Sequence, residues 1–200
     1  MDIKIINFIN NLVHSIPQYI KSIEVINNEI SIIISSNNLL KVLNYLKKNT
    51  NMQMTQMLDI TAVDLLNSTE RFVIIYQLLS LRFNQRLVIK VFLEKNTNSI
   101  FSETIPSITN IYKSAGWLER EVWDMFGIFF SGHFDLRRIL TDYGFQGFPL
   151  RKDFPISGFC ELRYDDELKT VFYESLELSQ EFRFFDFQSP WVSFENHFYK

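Results

Sequence analysis

The sequence predicts an α+β fold: a small mixed or antiparallel sheet with flanking helices, followed by a long irregular C-terminal arm. Three observations predict it. Runs of strand length with alternating apolar residues recur between residues 23 and 94. Helical spacing of apolar residues marks the N-terminus and the segment after Ser36. Beyond Phe129 the periodicity fades while aromatics accumulate, and residues 129–200 hold 14 of the 20 Phe, four of the eight Tyr and one of the three Trp.

In chain order, Ile5, Ile9, Leu12, Val13 and Ile16 predict an amphipathic first helix. Ile23 and Val25, then Ile30, Ile32 and Ile34, flank Asn27-Asn28 and predict a hairpin, because Asn tolerates the positive φ of tight turns. Ser36 or Asn37 can cap a helix carrying Leu39, Leu43 and Leu46. Strands are expected around Met57–Asp64, Arg71–Arg82 and Arg86–Glu94. Pro106 is expected to open a short helix through Ile108, Ile111 and Tyr112. From Gly116 another helix places Leu118, Val122, Met125 and Phe129 on one apolar stripe, with Glu119, Arg120, Trp123 and Asp124 on the other side and Gly127 as its stop. The expected division is an α+β body over residues 1–128 and an arm over 129–200.

Composition excludes several classes. With 46% apolar residues the chain can bury a core, which excludes global disorder. A net charge of −3 argues against general binding of nucleic acid or anionic membrane. No apolar run approaches the ~18–20 residues that span a bilayer; the densest, Phe72 to Leu81, is cut by Gln77 and Ser80. The lone Cys160 can form no intrachain disulfide and cannot by itself hold an iron–sulfur cluster or a Cys-based zinc site. Only two alanines occur, Ala62 and Ala115, against many Ile, Asn and Phe, a coding bias found in organellar and some bacterial genomes. The first arginine is Arg71, so no secretory signal or Arg-rich transit peptide is expected, and a chain working in an organelle would be made there.

Candidate chemistry is sparse. Glu119 and Glu121 point about 200° apart on a helix and share no pocket, so with Asp124 and Arg120 they predict a structural ion-pair set. His133-Phe134-Asp135 has no second His or Cys nearby, since His14 and His197 sit at the chain's two ends, and a structural or interfacial His133 is expected. Cys160 has only Arg163 close in sequence and reads as an inert thiol. Arg137-Arg138 and Arg151-Lys152 bracket a Gly/Pro-rich stretch, but no phosphate-loop or dinucleotide fingerprint accompanies them. Pairing with carboxylates suits their guanidinium forks. The aromatic segment has three states open to it: disorder, packing on the body, or lying along a partner. Disordered tails are poor in aromatics, and a partner would hide rings that otherwise form large sticky patches.

The string Glu119-Arg120-Glu121-Val122-Trp123-Asp124-Met125-Phe126-Gly127-Ile128, followed by His133 and Leu136-Arg137-Arg138-Ile139-Leu140, closely resembles the signature of the thirty-kilodalton (NuoC-type) subunit family of respiratory complex I. The likeness continues through Thr141 to Phe145, Pro149 to Pro155, Arg163 to Asp165, Gln180 to Arg183 and Ser189-Pro190-Trp191, and so covers about residues 116–191. Phe134, Gln146 and Phe148 depart from it, where relatives usually carry Pro, Glu and His.

The resemblance implies a non-catalytic core subunit of the hydrophilic arm of proton-translocating NADH:ubiquinone oxidoreductase. Its expected neighbour is the 49 kDa quinone-site subunit. It implies no cofactor or metal on this chain, with FMN and iron–sulfur clusters in other subunits. It also implies a peripheral place on the matrix side of the mitochondrial inner membrane, without contact to nucleic acid. The residues expected to anchor the arm or form interfaces are Glu119, Arg120, Glu121, Asp124, His133, Arg137, Arg138, Asp142, Tyr143, Arg151, Lys152, Asp153, Phe154 and Trp191. Rival readings are the equivalent subunit of a plastid or bacterial quinone-reducing complex or a membrane hydrogenase, a free-standing enzyme using His133, Asp135 and Cys160, and a nucleic-acid binder using residues 137–152.

Overall fold

The computed structural model describes residues 3–27, 29–66, 68–93 and 104–187. The chain divides into two compact units, Met1–Ile156 and Ser157–Lys200.

In the first unit, helix α1 (Ile3–Ser15) buries Ile5, Phe8 and Leu12, with Ile16 just beyond it. Strands β1 (Ile20–Ile26) and β2 (Glu29–Ile34) form the expected antiparallel hairpin, with Asn27 at φ 50°. Helix α2 (Leu39–Lys48) follows, preceded by one 3-10 turn at Ser36–Asn38 with no side-chain cap. Its buried residues Leu39, Val42, Leu43 and Leu46 lie at i, i+3, i+4 and i+7, one face of the helix.

Strands β3 (Gln56–Asp64), β4 (Phe72–Ser80) and β5 (Gln85–Leu93) match the three expected runs to within two residues. The sheet order is β1-β2-β5-β4-β3. All neighbours are antiparallel except β2 and β5, which run parallel, so the sheet is mixed. Ile74, Tyr76 and Leu78 of β4 and Leu87, Ile89 and Val91 of β5 are buried and join one core with α1 and α2. Period-two alternation produces this, because successive side chains point to opposite faces.

The short helix expected after Pro106 does not form. Pro106 instead ends strand β6 (Thr104–Pro106), which pairs in parallel with β7 (Phe129–Ser131). Residues 107–114 are turns, and the Ile108 carbonyl accepts from the N–H of Ile111 and Tyr112. The spacing of Ile108, Ile111 and Tyr112 is real, but it belongs to a single turn that buries Ile108 and Tyr112.

Helix α3 (Ala115–Phe126) ends at Gly127, which adopts φ 74° and donates to the Trp123 carbonyl. The left-handed conformation at a helix end favours glycine. The boundary expected after Ile128 is not where the compact unit ends. Residues 129–156 stay with the body through β7 and through side chains on α3, and the division falls after Ile156.

The second unit contains a hairpin of β8 (Cys160–Asp165) and β9 (Thr170–Ser175). The Asp165 carboxylate accepts from the N–H of Glu167 and Leu168 and closes the turn. Leu162 faces Tyr173 and Tyr164 faces Val171 on one side, while Glu161 with Glu174 and Arg163 with Phe172 occupy the other. The four residues of the apolar side are between 54% and 63% exposed. Phe182, Phe184, Phe185 and Phe187 are exposed as well. Trp191 lies outside the described residues.

Candidate functional site

The polar side of α3 is buried. Glu119, Arg120 and Asp124 all lie out of solvent, because residues 104–109 and 133–154 supply the covering layer. Glu121, pointing away from Glu119, is exposed.

Asp124 is the central anchor. Its Oδ2 accepts from three successive backbone N–H groups, those of Ile139 (3.2 Å), Leu140 (2.7 Å) and Thr141 (2.9 Å). Its Oδ1 accepts from the Thr141 hydroxyl at 2.7 Å and from Arg138 Nη1 at 3.0 Å. Burial alone would raise the carboxyl's pKa, but the Thr141 hydroxyl and the three amides outweigh it and bring it down to about 2. The expected Arg120–Asp124 pair is therefore replaced by Arg138–Asp124. The reason is geometric: Arg120 swings out to donate to the carbonyls of Arg137 (3.1 Å) and Arg138 (3.5 Å), and it stacks on Trp117. Arg120 and Asp124 thus hold the same loop from opposite polarities.

Arg138 and Arg151 both stack on Phe148, with guanidinium carbons 4.9 Å and 4.6 Å from its ring centre. Arg151 also donates to the Phe126 carbonyl, and the Leu150 N–H donates to the Met125 carbonyl. Two carbonyls of the last helical turn, which lack partners within the helix, are satisfied in this way. A Cβ on Gly127 would lie 2.6 Å from the Phe148 ring and 2.7 Å from Arg151 Nη2, so this position needs glycine for space as well as for its φ.

A third anchor was not legible in the sequence. Asp64, at the end of β3, accepts two bonds of 2.9 Å from Arg71 and one of 2.9 Å from the Lys152 N–H. The Arg71 guanidinium holds the Asp64 carboxyl below its usual range. Arg71 also reaches Asp153 at 3.0 Å. Only the register of β3 on β4, which places Asp64 opposite Phe72, brings Asp64 and Arg71 together. Lys152 contributes through its main chain, and its side chain is exposed.

Glu119 sits in a second buried pocket. The Ser107 hydroxyl donates to Oε2 at 2.6 Å and the Ile108 N–H donates to Oε1 at 2.7 Å. Burial raises this carboxyl to about 7, with those two donors only partly offsetting it. His133 Nε2 is 3.8 Å from Oε2 and 3.1 Å from the Gly116 carbonyl, while its Nδ1 accepts from the Asp135 N–H. That set fits the tautomer with hydrogen on Nε2. His133 is thus committed to hydrogen bonds on both nitrogens.

The remaining expected residues are peripheral in this chain. Arg137 is exposed and pairs with Asp135 at 2.9 Å. Asp142 is exposed and caps the Tyr143 N–H, and Tyr143 is 98% exposed. Phe154 packs its ring 6.0 Å from that of Phe145. Cys160 is a free, exposed thiol. Among the described residues no group of three or more His, Cys, Asp and Glu could hold a metal ion, and no helix is long and apolar enough to cross a membrane. Together these bonds fix residues 133–154 against α3 and β3.

Comparison with known proteins bears on what such a clamped body belongs to. The family of respiratory-chain NADH dehydrogenase 30 kDa subunits matches residues 32–160. NADH-ubiquinone oxidoreductase subunit 9 of Reclinomonas americana is 47% identical over 92% of this chain and 88% of its own. The protein of the same name from Prototheca wickerhamii is 48% identical over 92% of this chain and 93% of its own. A solved trypsin-resistant fragment of Nqo5 superposes with a TM-score of 0.54 at 25% identity, covering 66% of this chain and 99% of the fragment. The likeness thus extends well beyond the signature around α3, and the chain belongs to the respiratory-chain NADH dehydrogenase 30 kDa subunit family.

Proposed function

We propose that the chain is a non-catalytic core structural subunit of NADH:ubiquinone oxidoreductase, placed in the hydrophilic arm on the matrix side of the mitochondrial inner membrane. Electrons pass from NADH to ubiquinone through FMN and iron–sulfur clusters carried by other subunits, and this chain binds no cofactor. The first unit is a rigid body, and the segment after Ile156 docks on neighbours, chiefly the 49 kDa quinone-site subunit. The single observation that carries this reading, beside family membership, is the β8–β9 hairpin with its exposed row of Leu162, Tyr164, Val171 and Tyr173. An isolated two-stranded hairpin is marginal in water, and an apolar row of that kind gains stability when a partner removes it from solvent.

The test is native separation of membranes with immunodetection of this chain, alongside NADH oxidation by the same band. Tyr164→Asp with Val171→Asp is expected to lower the amount of assembled complex while turnover per assembled complex stays near wild type. Normal assembly with lost turnover contradicts a structural role. Co-purification with quinone-site subunits but without NADH oxidation points to a different quinone-reducing machine.

A further inference from the structure

We propose that Glu119, Ser107 and Thr109 form a reversible proton-binding site inside the body, in which the two hydroxyls reverse direction as the carboxylate gains or loses its proton.

The geometry is that of a chain with matching ends. Ser107 Oγ lies 2.6 Å from Glu119 Oε2 and 2.9 Å from Thr109 Oγ1, and either hydroxyl of that second pair can donate. With Glu119 ionised, Ser107 donates to Oε2 while its oxygen accepts from Thr109. With Glu119 protonated on Oε2, the new O–H donates to Ser107 Oγ, and Ser107 donates to Thr109 Oγ1. The proton comes from bulk water and returns there. The only bond made or broken is the O–H on Oε2, and both hydroxyls need only rotate. The Ile108 N–H donates to Oε1 in both states. Each oxygen of the relay keeps at least one partner either way, Thr109 Oγ1 turning from donor to acceptor as Glu119 takes up its proton.

Asp124, on the same helix, is the opposite case. Asp124 accepts five strong donors, one of them a guanidinium, and is locked in its ionised form. Glu119 has two donors for about four acceptor sites. A second buried group faces it: the Tyr76 side chain of β4 is fully buried, its hydroxyl has no partner among the described residues, and it feels the Glu119 charge.

The charged and titratable groups around Glu119 can be named element by element. From β4 comes Tyr76, and from the turn after β7 comes His133, with Nε2 at 3.8 Å. β6 and β7 carry no ionisable residue, and in the turn that supplies Ser107 and Ile108 the Tyr112 hydroxyl donates to the Met54 carbonyl while Lys113 is exposed. On β3, Asp59 lies on the other face of the sheet and Asp64 is engaged by Arg71. On α3, Arg120 is turned to the carbonyls of Arg137 and Arg138, Glu121 is exposed, and Asp124 is engaged by Arg138.

The test is infrared titration of the full-length chain, following the C=O stretch of protonated carboxyl groups between about pH 6 and about pH 8, well above the range in which an ordinary Glu titrates. A protonated carboxyl band is expected at the acid end, lost at the alkaline end and missing in Glu119→Gln, whose amide mimics the protonated donor. Thr109→Val leaves the Ser107 hydroxyl without an acceptor in the protonated arrangement, whereas in the ionised one Ser107 Oγ still accepts from the main-chain N–H of residue 109, so the midpoint is expected to move to lower pH. No such band in folded wild type at about pH 6, or a midpoint unmoved in Thr109→Val, overturns the proposal. Wild type and Thr109→Val suffice should Glu119→Gln fail to fold.

Discussion

Asp124 and Arg138 meet at 3.0 Å, but the carboxylate spends most of its bonding capacity on the backbone just beyond that arginine, accepting the N–H groups of residues 139, 140 and 141. The ion pair is the visible part of a main-chain clamp. Removing either partner should therefore have different consequences.

Asp124→Asn presents a poorer acceptor to three amides and leaves the part-buried Arg138 guanidinium without its carboxylate. We expect a loss of about 3–5 kcal/mol in the unfolding free energy of the chain, measured with urea. Arg138→Ala leaves the amides satisfied and should cost less. Its main readout is a drop in assembled complex larger than any drop in turnover.

The two buried carboxylates of α3 give stability slopes of opposite sign. Asp124, held at about 2 when folded, contributes stability that is present above about pH 4 and lost as pH falls through about 2. Glu119, raised to about 7, binds a proton more tightly in the folded than in the unfolded chain, so its contribution is full below about pH 4.5 and lost as pH rises through about 7. The Asp124 window is worth about 2 kcal/mol and the Glu119 window about 3 kcal/mol or slightly more. Glu119→Gln should flatten the neutral slope and leave the acid one intact in a pH series of urea midpoints.

Gly127→Ala should destabilise the first unit by about 2–5 kcal/mol, combining a left-handed backbone with a clash against Phe148 and Arg151. The double change with Phe148→Ala should restore part of that loss, a coupling that a double-mutant cycle reads directly.

Arg71→Lys keeps the charge beside Asp64 but cannot reproduce the paired bonds of 2.9 Å. We expect a clear fall in the thermal midpoint. Asp153→Ala, at a half-exposed side chain, should change stability by less than about 1 kcal/mol.

Much of the sheet could be read directly, because alternation in β2, β4 and β5 reports which side chains face the core. The glycine stop of α3 was equally plain, but its expected stripe held only in part: Val122 is buried, Leu118 and Met125 are half-buried, and Phe129 belongs to β7 while Ala115 and Phe126 complete the buried apolar set. The other side of that helix was harder to read. Helical periodicity separates apolar from polar residues, but it does not reveal that a later segment covers the polar ones, and here residues 133–154 do so. Asp64 escaped notice because its partners Arg71 and Lys152 become neighbours only after β3, β4 and the loop near Lys152 are assembled. Pro106 misled for a local reason: a proline can end a strand as readily as it can begin a helix.

The β8–β9 hairpin has a consequence for the life of the polypeptide before it joins its companions. Newly made copies carry a greasy ribbon and a train of phenylalanines, the kind of surface that coalesces or is captured by holdases and proteases. If that segment docks as proposed, surplus copies should be short-lived, and the abundance of this subunit should track the supply of its partners.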